Sequence, residues 1–143
     1  MRVLRRFATV VCPPAIREDQ RAERVLAEFS LLLGVLRPAA RRALLLAFVA
    51  FDQGARLYPA SRGRRFGRLG DQAADAYLRA LLGREDAIGE LTQRLKSLIV
   101  MCYYELPEVK AEIGYDPDPY IAAVARRRLE SYGAQIRAGE VPR

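Results

Sequence analysis

The chain has 143 residues, 51% of them hydrophobic, and its 24 Lys and Arg against 17 Asp and Glu give a net charge of +7. This length and hydrophobic content predict a single domain, residues 1–143, that can bury a core without disulfides or a structural metal. Because the chain contains no histidine, Ser-His-Asp and Cys-His nucleophile pairs and histidine metal ligands are excluded.

Residues 1–16 are predicted to form an N-terminal extension. Arginines precede a short apolar run from Phe7 to Cys12, and two prolines end it. The run is shorter than the hydrophobic region of a secretory signal and lacks an A-x-A cleavage site. We therefore expect a mature cytoplasmic chain, with export alongside a partner left open. No membrane span is expected, because the longest apolar run, residues 43–51, is far below the roughly 18–20 residues that cross a bilayer.

The fold class is predicted to be all-α, with about five or six helices in an irregular bundle. Apolar residues recur at helical spacing in residues 17–36, 38–57, 71–82 and 85–105, and a short helix after Pro107 precedes a last helix at 118–137. The helix at 38–57 is apolar nearly all round, which predicts that it is the most buried. No segment alternates with the period of a strand.

A basic loop rich in glycine and arginine is predicted at residues 59–70. Its sequence, PASRGRRFGRLG, has the composition of a mobile surface loop. It lacks the Lys-Ser/Thr pair of a phosphate-binding P-loop, and no strand precedes it. Arg64 and Arg65 are its candidate partner-contacting residues, and contact with an anion is the alternative to a partner.

The stretch from Leu91 to Tyr120 is the most distinctive in the chain. A buried helix leads to a Tyr-Tyr pair, Pro107 interrupts it, and a short helical turn exits through Gly-Tyr-Asp-Pro-Asp-Pro. Tyrosines beside an apolar stripe need a polar group or another protein for their hydroxyls, although a structural role at the core margin is about as common. The predicted partner-binding residues here are Tyr103, Tyr104, Leu106, Pro107, Val109, Ile113, Gly114, Tyr115 and Pro117.

Other candidate sites have simpler interpretations. Glu108 and Glu112 lie one helical turn apart, but a di-iron site would need Glu-x-x-His, so solvent-facing acids are favoured. Cys102 falls in phase with the apolar face of its helix and is predicted to be a buried structural thiol. We predict no catalytic, cofactor-binding or metal-binding residue in this chain.

Two segments carry a resemblance to a known family. FGRLGDQAADAYLRAL (66–81) and LKSLIVMCYYELPEVKAEIGYDPDP (95–119) are similar to the gluconate 2-dehydrogenase subunit 3 family, over about half of the chain. The resemblance implies a non-catalytic accessory subunit, chaperone-like toward a large FAD-dependent oxidoreductase of the glucose-methanol-choline (GMC) type. It also implies a hetero-oligomer in which the partner, and not this chain, holds the FAD.

Two other functional classes are weighed against this one. The net charge and the arginine clusters, including Arg126–Arg128, suggest a basic helical nucleic-acid-binding protein. No helix-turn-helix signature places an arginine-rich helix in a groove, so this remains the alternative. An independent enzyme using carboxylates or tyrosine is the least favoured class.

Overall fold

A computed structural model describes residues 2–137, with side chains described as far as Gly133. It confirms the all-α class: most of the described residues are helical, and none of them lies in a strand. Seven α-helices lie in this range, rather than five or six. They are α1 (Arg2–Val11), α2 (Arg21–Val35), α3 (Pro38–Gly54), α4 (Asp71–Leu82), α5 (Ala87–Tyr104), α6 (Pro107–Glu112) and α7 (Asp118–Arg137). Short 3-10 turns occur at Pro14–Arg17, Ala55–Leu57, Pro59–Ser61 and Phe66–Arg68.

The chain divides into two compact units. Unit 1 is Met1–Leu106 and unit 2 is Pro107–Arg143. The division falls at Pro107, which lacks a backbone donor and disfavours the helical conformation of the residue before it. Unit 1 therefore contains α1 to α5, and unit 2 contains α6 and α7.

Helix α5 is the central helix of unit 1. It contacts all four other helices of the unit, and Leu95, Ile99 and Cys102 on its apolar stripe are buried. The carboxylate of Asp86 accepts hydrogen bonds from the backbone N–H groups of Ile88 and Gly89, each at 3.1 Å. This N-cap fixes where α5 begins.

The prediction that α3 is the most buried helix is wrong. Phe48, Phe51 and Asp52 are its only buried residues, and Leu46 and Val49 are 66% and 53% exposed. An all-round apolar helix needs neighbours on every side. The other helices of unit 1 cover only part of α3.

The N-terminal residues belong to the core of unit 1, which differs from the predicted extension. Leu4, Phe7 and Ala8 on α1 are buried, and the ring of Phe7 is fully enclosed. Three phenylalanine rings surround it with centroid distances of 5.0–6.0 Å; they belong to Phe48, Phe51 and Phe66. The apolar run that was too short for an export signal is long enough to supply one buried helical face.

The predicted loop at residues 59–70 is not irregular throughout, and part of it packs against the core of unit 1. Two of the 3-10 turns lie in it, and the side chains of Phe66 and Leu69 are buried. The backbone N–H of Gly67 donates to Asp52 Oδ1 at 2.7 Å. A Cβ at residue 67 would lie 3.3 Å from the backbone nitrogen of Val3, so the loop passes very close to the first turn of α1.

Charged side chains join α1 to the helix that follows this loop. Asp71, at the start of α4, accepts hydrogen bonds from Arg6 at 2.5 Å and from Arg17 at 3.1 Å. The bond from Arg6, followed by the positive charges of both arginines, lowers the pKa of this carboxyl. Arg5 of α1 is likewise paired with Glu23 of α2.

In unit 2, Gly114 ends α6 as the sequence predicted. Its φ is +67°, a conformation that favours glycine. The backbone N–H of Tyr115 donates to the carbonyl of Lys110 at 2.8 Å, which satisfies an orphan carbonyl at the helix end. On α7, Tyr120, Ile121, Leu129 and Tyr132 are exposed.

Candidate functional site

The predicted docking residues of unit 1 do not form one exposed edge. Tyr104 is 43% exposed, but Tyr103 and Leu106 are buried at 4% and 2%. Tyr103 lies one turn beyond Ile99 and extends the buried stripe of α5. Its ring meets that of Tyr104 edge to face, with centroids 5.3 Å apart. Of these three residues, only Tyr104 is available to a partner.

The predicted partner-binding residues of unit 2 also differ in exposure. Pro107, Ile113, Gly114 and Tyr115 are exposed, and Pro117 is half-buried. Val109 is 2% exposed and is therefore not a surface contact. The predicted interface from Tyr103 to Pro117 thus spans the boundary between the two units and includes three buried residues.

The two arginines predicted to contact a partner differ in exposure. Arg64 is exposed, and Arg65 is half-buried. Arg65 lies beside a polar cleft near the first turn of α1, whereas Arg64 does not line it.

An open apolar groove between α3, α4 and α5 is a surface that the sequence did not predict. It encloses about 390 Å³, which is within the usual size range of binding clefts. Leu57 at its edge is 90% exposed, and Ile88 and Leu91 are 49% and 42% exposed. We call it the apolar groove; its walls are Ala47, Ala50, Phe51, Gly54, Leu57, Tyr58, Tyr77, Leu81, Arg84, Ile88, Leu91, Thr92 and Leu95.

Small residues on α3 create the open space of the apolar groove. Ala47, Ala50 and Gly54 follow one another along one side of the helix. A Cβ at residue 54 would lie 3.0 Å from the hydroxyl oxygen of Tyr77. Substitution with larger residues would fill the groove from the α3 side.

The polar groups of the apolar groove are largely engaged within unit 1. The hydroxyl of Tyr77 donates to the carbonyl of Phe51 at 3.1 Å, and that of Thr92 donates to Ile88 at 2.8 Å. Burial, and secondarily the charge of Asp52, raises the pKa of Tyr77 to about 12, so this phenol stays protonated at neutral pH. At neutral pH Tyr77 therefore presents a neutral hydroxyl to a groove whose walls are mainly apolar.

The two thiols are poor nucleophiles. Burial raises the pKa of Cys12 to about 12, and the nearby Cys102 adds to the shift. Burial also raises the pKa of Cys102, as do the carboxylates of Glu28 and Glu105. Since the thiolate is the reactive form, the raised pKa values disfavour reaction at both cysteines at neutral pH.

One signal in the sequence could have indicated the apolar groove. Helix α3 has more apolar surface than a single buried face requires, and its small residues recur at helical spacing. This composition predicts complete burial, although it also fits a helix that leaves one apolar side open. Comparisons of the chain with protein-family models, curated proteins and solved structures find no match.

Proposed function

We propose that this chain is a non-catalytic small subunit that binds, stabilises or assists the maturation of a large FAD-dependent GMC-type oxidoreductase. The apolar groove is the observation that carries the binding role. Large contiguous apolar surfaces on soluble proteins commonly mark interaction sites. The identity of the partner rests on the resemblance of residues 66–81 and 95–119.

The residues at the apolar groove suit a protein partner. Leu57, 90% exposed, and Ile88, 49% exposed, project apolar surface at its edge. Enclosing one such side chain is worth about 1.5–3 kcal/mol before the costs of association. The neighbouring face of α3 adds the exposed Leu46 and Val49. A partner that inserts apolar side chains would cover this surface and the groove together.

The chemistry of the described residues supports a binding role rather than an independent activity. The chain has no histidine, and the buried thiols have raised pKa values. In the proposed complex, the FAD and the catalytic groups belong to the large subunit. We propose assembly in the cytoplasm, after which the complex stays there or is exported as a unit. No helix within residues 2–137 is long and apolar enough to span a membrane.

Co-expression with a candidate large GMC-type oxidoreductase tests the proposal. The measurements are co-purification, solubility of the large subunit and its FAD content. We expect the wild-type chain to co-purify and to raise both the soluble fraction and the FAD content. The absence of co-purification, together with an unchanged large subunit, would refute the accessory role.

A pair of double variants locates the interface. Leu57→Asp with Ile88→Asp places charges at the apolar groove, and we expect it to abolish co-purification. Leu31→Asp with Val35→Asp is the matched control, because these α2 residues are exposed at 67% and 82% and do not line the groove. The control should bind as the wild type does.

Tyr104→Ala tests the partner-binding residues that the sequence predicted near the end of α5. If this variant loses binding and the Leu57→Asp, Ile88→Asp variant still binds, the interface lies at the end of α5. Nucleic-acid binding by the purified chain with a steep negative salt dependence would instead favour the alternative function.

A further inference from the structure

A second cleft of unit 1 lies between the first turn of α1 and the Phe66–Arg68 turn. It encloses about 430 Å³ and is lined by Arg2, Val3, Asp52, Arg65, Gly67 and Arg68. We call it the arginine cleft. The close approach of Gly67 to the backbone of Val3 brings its two sides together.

The three guanidiniums of the arginine cleft have no carboxylate partner among residues 2–137. Ion pairs are present for other arginines of unit 1, such as Arg6 and Arg17 with Asp71. None is present for Arg2, Arg65 or Arg68. Like charges that share one cleft repel each other, and an anion bound among them would relieve that repulsion. The cleft can therefore accommodate a negatively charged group.

Asp52 gives the arginine cleft a fixed hydrogen-bond acceptor. The residue is 8% exposed, and its Oδ1 atom accepts the backbone N–H of Gly67 at 2.7 Å. Its Oδ2 atom accepts no hydrogen bond from the described part of the chain. A ligand hydroxyl can donate to this oxygen, whereas a second anionic group would be repelled.

The charge of the arginine cleft matches a phosphate monoester. Three guanidiniums and one carboxylate sum to a charge of about +2, and a phosphate monoester carries about −1.5 to −2 at neutral pH. A single carboxylate would leave positive charge uncompensated. The volume exceeds that of inorganic phosphate and lies within the range of small-molecule sites.

We propose that the arginine cleft binds a small hydroxylated phosphate monoester of the sugar phosphate class. The phosphate oxygens accept hydrogen bonds from Arg2, Arg65 and Arg68, whose planar guanidiniums suit bidentate contacts. A hydroxyl of the ligand donates to Asp52. This site does not depend on the proposed accessory role.

Isothermal titration of the full chain with ribose 5-phosphate, inorganic phosphate and ribose tests the proposal. Ribose 5-phosphate should bind at one site, inorganic phosphate more weakly, and ribose not at all. Arg65→Gln with Arg68→Gln should weaken binding at least about tenfold, because each removes charge-assisted hydrogen bonds. Arg62→Gln with Arg64→Gln removes the same charge from the same loop outside the cleft, and its affinity should stay within about twofold of wild type. Asp52→Asn should keep phosphate binding and lose the preference for ribose 5-phosphate.

Several results would overturn the site. Absence of binding at millimolar ribose 5-phosphate would do so. So would an equal loss of affinity in the Arg62→Gln, Arg64→Gln control, because it would indicate only diffuse electrostatic attraction. Equal affinity for inorganic phosphate and ribose 5-phosphate would overturn the assignment to sugar phosphates. Displacement of ribose 5-phosphate by single-stranded RNA at far lower concentration would instead indicate a nucleic-acid backbone. Arg2→Gln, at an exposed position, provides an independent test if circular dichroism shows that the loop double variant is unfolded.

Discussion

Replacing Phe7 with alanine should lower the free energy of unfolding by about 3–5 kcal/mol. The ring is fully buried, so the substitution removes its transfer free energy and leaves a cavity. Phe48 and Phe51 face it nearly perpendicularly, at interplanar angles of 89° and 82°. These edge contacts disappear as well. Phe48 also contacts Phe29, and Phe51 also contacts Phe66, so the neighbouring rings cannot collapse freely into the space.

Urea unfolding followed by the helical circular-dichroism signal measures this effect. With a slope of about 2 kcal/mol/M, the midpoint should fall by about 2 M. Leu31→Ala, at a 67% exposed position on α2, is the control and should change stability by about 0.5 kcal/mol or less. If Phe7→Ala costs less than about 1 kcal/mol, then α1 is not part of the core, and the N-terminal residues are the extension that the sequence predicted.

Three further results follow from the close packing and the shifted pKa values of unit 1. Gly89→Ala should destabilise the chain by about 2 kcal/mol or more, because a Cβ there would overlap the carbonyl oxygen of Arg84. Gly34→Ala is the control: its Cβ would have no neighbouring atom within 4 Å, so it should stabilise the chain by about 0.5–1 kcal/mol. Equal melting temperatures of the two variants would contradict this. The hydrogen bond from Arg84, and then the N–H groups that begin α5, lower the pKa of Asp86 from 3.8 to about 2. The stabilisation that the Asp86 carboxylate gives to the fold should therefore be complete above about pH 4 and be lost as pH falls toward 2. In thermal melts, Asp86→Asn should not show this loss of stability between pH 4 and 2. The same pH dependence of the melting temperature in both proteins would argue against the cap. The thiol of Cys12, with its pKa near 12, should react with iodoacetamide at pH 8 only after unfolding in urea, and rapid labelling of the folded chain would be inconsistent with its burial.

Helix boundaries were predictable where the sequence punctuates them chemically. The predicted range 71–82 coincides with α4, and the predicted end near Glu105 is one residue beyond α5. Proline, glycine and capping acids act within a few residues of themselves, so their effect can be read locally. Gly114 is the clearest case, because the turn after α6 needs the positive φ that it adopts.

Burial and the candidate site were less predictable, because they depend on which helices meet. Apolar periodicity places Phe7 and Phe48 each on a helical face, but it does not indicate that the two faces contact each other. The apolar composition of α3 was consistent with full burial and with an open groove, and only the spacing of α3, α4 and α5 decides between them. Tyr103 and Tyr104 are adjacent tyrosines, yet their helical phase makes one buried and the other exposed.

The phenylalanine cluster also has a consequence for synthesis of the chain on the ribosome. Phe7 is made long before Phe66, and the centroids of their rings lie 6.0 Å apart in the folded chain. At ~5–20 residues per second, roughly 60 residues of further elongation take about 3–12 s. Throughout that interval, the apolar face of α1 lacks its full set of neighbours. The apolar face of α1 therefore stays incompletely covered until the chain beyond Phe66 has been made.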